Sequence, residues 1–442
     1  MKWLRRSLAA ALLAAVALAV LLPSPSVQAQ GQTIKIGVLF DHSGPFSAAG
    51  SLNCWRGAKM MIDLINERGG VLGKYKIVQV DGDSQSKAEV AINEAERLLN
   101  VEKVDILAGV YSSAHAVPLA EKVDKQKKFL WITTAIADGV LKDRNLQYTF
   151  RPQPNGGLFG AYSVRYIASY SQERFKKAPK DLRVAIIYED GPYGTGVAAA
   201  NEEEAKKQGM QVVLKEGFSI QAPDLSSLVT KLRAAKPDVL FHTGYAPDIN
   251  LFLRQSKEQG FRVKAYLGHG AGHSQIDKLK EGFGNEIEGF HTVDPIASQL
   301  LDAKKLKPGV GEMTAEMVRR YKAFEPNIQP QAIAPHVSMG FNNMWILLND
   351  VLPRAIQKHG GFSPEALAKA ARETDIPEGG TMQGYGVKFL PPGSEMSGQN
   401  ERSSPVVMQY IGGKTEVVWP ARLRTADPVL PWPKTHSYSN QQ

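Results

Sequence analysis

IKIGVLFDHSGPFSAAG (34–50) decides the fold class. Its first six residues, IKIGVL, are apolar enough for a strand buried on both faces, the kind found inside a parallel sheet. The run breaks at Ser43-Gly44-Pro45. The stretch 53–67 then carries Cys54, Ala58, Met61, Ile62 and Ile65 at helical spacing, until Gly69-Gly70 stops it. The same order recurs downstream. A strand over 75–80 precedes a helix predicted to start at Ser86, with Glu89 three residues on as a capping box. Strands over 104–108 and 129–133 are separated by a helix after Pro118. Such alternation means βαβ units and a parallel sheet.

A second series begins after RPQPNGG (151–157), a turn-rich boundary. Strands are expected at 184–188, 211–214, 239–242 and 265–267, with helices between them. GFHTVDP (289–295) opens a third segment with helical stretches at 314–324, 336–352 and 364–373. These have few strands of their own and are expected to pack back on the first sheet. A strand pair, 406–410 and 416–419, closes a Gly/Pro-rich end. The expected architecture is α/β, with two lobes, each a parallel sheet flanked by helices. Three chain crossings, near 152, 289 and 380, form a hinge that lets the lobes close on a ligand. The N-terminal lobe is then 30–151 plus 289–380, the C-terminal lobe 152–288 plus 381–425, and 426–442 a tail.

At 442 residues the chain exceeds one ordinary domain and fits two. Its 43% hydrophobic and 22% charged residues suit two buried cores. The first 29 residues read as a cleavable leader: Lys2, Arg5 and Arg6, an apolar run over 8–22, then Pro23, Pro25 and Val27-Gln28-Ala29. The run is short for a membrane span, which needs about 20 residues, and no Cys at the cleavage point offers a lipid anchor. The chain is therefore expected in the periplasm. The net charge of +9 falls to +6 without the three basic leader residues, and the excess is dispersed. No basic run with interleaved aromatics marks a nucleic-acid surface. Cys54 is the only cysteine, which excludes an internal disulfide and a Cys-built zinc site. It is expected as a buried small hydrophobe. No cofactor or metal is expected, and a monomer is the default.

Five stretches in order, IKIGVLFDHSGPFSAAG (34–50), NERGGVLG (66–73), GVYSSAHAVPLAE (109–121), YEDGPYGTG (188–196) and FHTGYAPD (241–248), resemble the branched-chain amino-acid-type binding proteins of ABC transporters, the Leu/Ile/Val-binding family. The resemblance spans most of 33–420 and implies a type I periplasmic-binding-protein fold that passes a small molecule to a permease in the inner membrane. It agrees with a general rule: ligands of open α/β sheets bind beyond the carboxyl ends of strands, where 43–45, 112–113, 133–137, 191–194 and 244–245 all fall.

By position, the resemblance implies that Ser113 holds a ligand carboxylate with the free amides of the following helix, beside Ser112 and Thr134. Ala135 contacts ligand through its backbone, and Tyr193 and Tyr245 close over it from the opposite lobe. Three departures are informative. The family's ammonium-binding acid falls on Gly270, its hydroxyl residue on Ala137, and an aromatic on Ala49. An unpaired ammonium in a closed cleft is costly. The expected ligand is therefore a carboxylate or an amide without an α-ammonium, unless Asp138, Asp248 or Asp41 supplies the acid. With Ala49 small, His269, His273, His115, Trp131 and Tyr111 are candidates to line an enlarged pocket.

Catalytic readings are weak. Gly194-Thr195-Gly196-Val197-Ala198-Ala199 matches a dinucleotide fingerprint, but Asp190–Tyr193 lengthens its turn. Ser84-Gln85-Ser86-Lys87 matches S-x-x-K without the companion signatures. No H-E-x-x-H, G-x-S-x-G or P-loop is present. A binding protein that feeds a separate sensor is the alternative that shares the fold.

Overall fold

The computed structural model describes residues 32–441. The leader expected over 1–29 lies outside them. The first sheet has five parallel strands: β1 (Thr33–Phe40), β2 (Lys76–Asp83), β3 (Ile106–Gly109), β4 (Leu130–Ile132) and β5 (Thr149–Phe150). Their order is β2-β1-β3-β4-β5. Helices α1 (Leu52–Glu67), α2 (Ala88–Glu96) and α3 (Ser113–Lys125) connect the first four. The apolar run of β1 has a simple cause. Ile34, Ile36, Val38 and Phe40 join one core cluster, and Leu39 joins another on the opposite face.

The second sheet has seven strands: β6 (Arg183–Glu189), β7 (Gln211–Phe218), β8 (Val239–Thr243), β9 (Ala265–His269), β10 (His291–Asp294), β11 (Val406–Ile411) and β12 (Lys414–Trp419). Their order is β12-β11-β10-β9-β8-β6-β7. Strands β6 to β10 are parallel, and β11 runs antiparallel to β10 and β12. The parallel sheet expected here therefore carries a hairpin at one edge. Its two-residue turn, Gly412-Gly413, has positive φ at both positions. Helices α4 (Gly156–Arg174), α5 (Pro192–Lys207), α6 (Ser226–Ala235), α7 (Ala246–Glu258) and α8 (Ile276–Phe283) belong to this half.

The hinge differs from expectation at two crossings. The second follows Asp294 and not residue 289, because 291–294 pair with β9 and β11 and are buried throughout. Gly289 and Pro295 bracket a four-residue strand, which made the stretch read as a boundary. Helices α9 (Val310–Tyr321), α10 (Pro335–Ile346), α11 (Leu352–His359) and α12 (Pro364–Arg372) then follow. Helix α10 packs on α1 through two glycines. A Cβ at Gly57 would lie 2.2 Å from the Val337 carbonyl, and one at Gly340 1.9 Å from that of Cys54. The third crossing comes after 400 and not near 380. The Met382 amide bonds Asn342 Oδ1 (3.1 Å), Phe389 packs edge-on against Trp131 and Phe150, and Gln399 bridges Arg151.

Two further expectations are corrected. The segment expected as a tail is packed over its described residues, 426–441: Trp432 is fully buried, stacks on Phe290 at 5.2 Å and donates to the Gly289 carbonyl at 2.7 Å. Ser86 is not a helix cap. The helix starts at Ala88, and Ser86, at φ +58°, accepts from the Phe46 amide (2.9 Å) while its own amide donates to Asp41 (2.9 Å). It holds the 41–46 loop. Among the described residues no helix is long and apolar enough to cross a membrane.

Candidate functional site

The loops beyond the carboxyl ends of β1, β3 and β4 face those beyond β6, β8 and β9. Between them lies a small cavity, about 30 Å³ in volume. The first half supplies Tyr111, Ser113, Thr134 and Ile136, with His336 and Met339 from α10. The second half supplies Phe159, Tyr193, Tyr245, Gly270, Ala271 and Asp294. Apolar walls with a few convergent polar groups are what a small-molecule site requires.

Ser113 opens α3, where the first amides have no carbonyl partner within the helix. Its Oγ accepts from the Ala137 amide at 3.1 Å, which leaves the hydroxyl proton available to a ligand oxygen. Tyr193 and Tyr245 start α5 and α7. Each loop is held by a buried carboxyl. Glu189 accepts from the Gly191 and Gly194 amides (2.7 and 2.6 Å), and Asp248 accepts from the Tyr245 amide (2.8 Å). Burial raises the Glu189 carboxyl above its ordinary range and pushes Asp248 up to about 8. The Tyr245 ring lies 5.4 Å from Tyr193 on its own side and, across the cleft, 4.4 Å from Phe46 and 6.2 Å from Tyr111. Gln275 bonds Asn53 (2.8 Å) and His336 Nδ1 (2.9 Å), tying the second half to α1 and α10.

Six of the ten expected site residues line the cavity: Tyr111, Ser113, Thr134, Tyr193, Tyr245 and Gly270. Four do not. Ser112 occupies the N-cap position of α3 without a side-chain capping bond, beside the Tyr245 hydroxyl. The Ala135 amide bonds the Val110 carbonyl (3.0 Å), and its own carbonyl takes Arg151 (3.4 Å) and Gln153 (3.3 Å). The Ala137 carbonyl takes Arg151 at 2.7 Å. His269 turns its ring into the core, bonded to Thr243 (2.9 Å) and Ser163 (3.1 Å), and only its carbonyl meets the Tyr193 hydroxyl. His273 bonds Tyr266 (2.7 Å), Trp131 bonds the Asn343 carbonyl (2.9 Å), and His115 lies against Asp41. These three are packing residues and do not line the enlarged pocket expected of them. The side chain of Ala49 lies outside the described residues.

None of the three acids considered from sequence lines the cavity. Asp41 bonds Ser84 and Ser86, Asp138 bonds the Gly157 amide, and Asp248 holds the Tyr245 loop. The acid present is Asp294, at the carboxyl end of β10. Its Oδ2 accepts from Ser274 Oγ at 2.5 Å, and burial pushes its pKa up to about 7. His336 is held neutral, pushed down to about 4 by burial. Both were missed because the short strand read as a turn and α10 as generic packing. The one sequence signal was an Asp-Pro step after a β-branched pair, at the place where ligand loops start.

The comparisons agree with this geometry. The family model described as periplasmic binding protein matches residues 33–397. The Leu/Ile/Val-binding protein homolog 8 of Brucella suis is 33% identical over 410 residues, 92% of this chain and 96% of the relative. A leucine-binding protein LivK from Thermotoga maritima superposes with a TM-score of 0.70 at 22% identity, covering 87% of this chain and 97% of its own. A solute-binding protein from R. palustris, solved with benzoate, superposes with a TM-score of 0.68 at 16% identity, covering 89% and 98%. A family model matched over most of the length, and a relative one-third identical along nearly all of its own, establish that this chain belongs to the periplasmic binding proteins of the branched-chain amino-acid type.

Proposed function

We propose that this chain is exported to the periplasm, takes a small solute between its lobes, and presents the closed form to an inner-membrane ABC permease. One observation carries the reading. The cavity is walled from both halves of the chain, and Phe46, Tyr245 and Gln275 make contacts across it that an open form would lose. A ligand that bridges the halves therefore stabilises closure by its differential contacts with the closed state. The leader motif at 1–29 supports export. The relatives are named as binding proteins, and the residues of this cleft bind, orient and exclude water.

Ser113 and the first amides of α3 suit a carboxylate or carbonyl oxygen. Gly270 and Ala137, in place of the acid and hydroxyl of amino-acid binders, favour a carboxylate or an amide without an α-ammonium, whereas Asp294, the one acid of the lining among the described residues, weighs against a bare carboxylate and favours an amide or amine head. The named ligands of the two solved structures, leucine and benzoate, fall on either side of that distinction. A thermal-shift screen of the chain from Gln30 onward, against amino acids, aromatic and aliphatic carboxylates, amides and ureas, tests the reading. Solute at a hundred times its Kd adds about 2.7 kcal/mol, a rise of several degrees in Tm for a chain this size. A panel that leaves Tm unmoved overturns it.

A further inference from the structure

The charge of the cavity remains to be explained, and the inference here rests on the reading of the cleft as a solute site. Among the described residues the lining contains one acid, Asp294, and no Lys or Arg. Asp294 is 1% exposed. Its Oδ2 is taken by Ser274, which also bonds Thr292 at 2.8 Å. Its Oδ1 has no hydrogen-bond partner among the described residues, and lies 3.6 Å from where a Cβ at Gly270 would stand, on the cavity side.

The titratable groups that face it are Tyr193 from α5, Cys54 from α1 and Tyr385 from the third-crossing segment. Tyr111, Tyr245 and His336 complete the ionisable lining. Burial raises every thiol and phenol in this set and lowers the imidazole, so all stay neutral near pH 7 and none supplies a positive charge.

A buried carboxyl with one oxygen unpartnered is an expensive arrangement unless something pairs with it. Once Asp294 has lost its proton, at about pH 7 and above, a monoanionic solute would bring a second negative group into the same dry space with no cation to offset it. A solute carrying N–H donors would complete the hydrogen bonding of Oδ1, and a cationic head would also neutralise the charge. The aromatic faces of Tyr111, Tyr193, Tyr245 and Phe159 favour a cation as well. We infer that Asp294 is the specificity-determining residue of the cleft: it receives an N–H-bearing head, amide or amine, and selects against solutes that are carboxylates alone. Ser113 and the α3 amides would take the ligand's oxygen end where it has one.

Calorimetric titration with a matched set tests this: isovalerate, isovaleramide, isoamylamine, L-leucine and benzoate, each against wild type, Asp294→Asn and a Tyr193→Ala/Tyr245→Ala variant. Binding to wild type is expected only from members with N–H groups. Asp294→Asn should weaken the amine or leucine by about tenfold or more, the scale of a charged hydrogen bond, and isovaleramide by less. If Asp294→Asn does not fold, wild type still decides: affinity for isoamylamine should rise as pH increases through about 7, where Asp294 loses its proton, and affinity for isovaleramide should not. Tight binding of isovalerate or benzoate to wild type, or equal binding of the amine by Asp294→Asn, overturns the assignment. Binding that the double tyrosine variant leaves intact, or no binding by any class, overturns the cleft reading itself and the assignment with it.

Discussion

Asp294 Oδ1 lies 3.6 Å from the point where a side chain at Gly270 would begin. The two residues sit at the ends of neighbouring parallel strands, β10 and β9, so a carboxyl absent from one strand end is present at the next. The vacancy at Gly270, taken alone, argues for a ligand without an ammonium. Asp294 restores an acid to the same corner of the cleft.

Placing an acid at Gly270 should therefore harm the site. Gly270 has φ +42°, and a Cβ there would stand 3.2 Å from Phe159 Cε1. Gly270→Glu combines backbone strain of about 1–3 kcal/mol with like-charge repulsion from Asp294. A lower Tm and loss of solute binding are expected, read by melting and titration. A variant that melts with wild type would contradict the geometry.

Gln275 is a latch. Gln275→Leu keeps the bulk and removes the bonds to Asn53 and His336. At about 1 kcal/mol per neutral hydrogen bond, solute release should quicken by roughly tenfold or more with little change in the association rate. Stopped-flow displacement measures both. An unchanged release rate would remove Gln275 from the closed-state contacts.

The C-terminal segment is structural. Trp432→Ala empties a site that is fully buried between Phe290 and His436, and should cost about 3–5 kcal/mol. Ending the chain at Ala426 should cost at least as much. Denaturant melts of both variants check this, and a truncated chain with wild-type stability would refute it.

Stability should peak near pH 6.5. Burial holds His242, His269 and His291 down to about 3, His336 to about 4, and His273 well below its ordinary value. Below about pH 6.5 the unfolded chain binds protons that these imidazoles refuse when folded, so stability falls as pH drops. Asp248 and Asp294, raised to about 8 and 7, act in the opposite direction. The folded chain keeps protons that the unfolded chain releases, so their cost grows as pH rises towards 8. The imidazoles outnumber the raised carboxyls on the acid side. Above it only the carboxyls titrate, giving a shallow decline that Asp294→Asn should flatten further. A Tm that climbs steadily from about pH 6.5 to 8 would contradict this balance.

The layers of the fold were legible because β1, β3 and β8 are buried on both faces and so read as unbroken apolar runs, punctuated by Gly and Pro at the ligand loops. Ser113, Tyr193 and Tyr245 were placed by the family resemblance, and the loops that carry them follow such runs. Asp294 did not, since a four-residue strand is too short to show a period. His336 and Met339 did not, since nothing local reveals which face of α10 looks into the cleft. Ser86 read as a cap because its S-x-x-E spacing is right, yet its left-handed φ and its bonds to residues 43 positions or so away depend on the loop it supports. His269 and His273 were drawn to the pocket by position at and just beyond the end of β9, and the ring directions that send them into the core are set by Thr243 on β8 and Tyr266 within β9.

The most direct test is the Kd of the best solute from the screen for wild type and for Tyr193→Ala/Tyr245→Ala. The two rings are 4–5% exposed against the cavity, and form its second-lobe wall. Capture between the lobes predicts a loss of about a hundredfold or more, two large aromatic contacts removed at once. An unchanged Kd would mean that the solute sits elsewhere and that the cleft is not the site of capture.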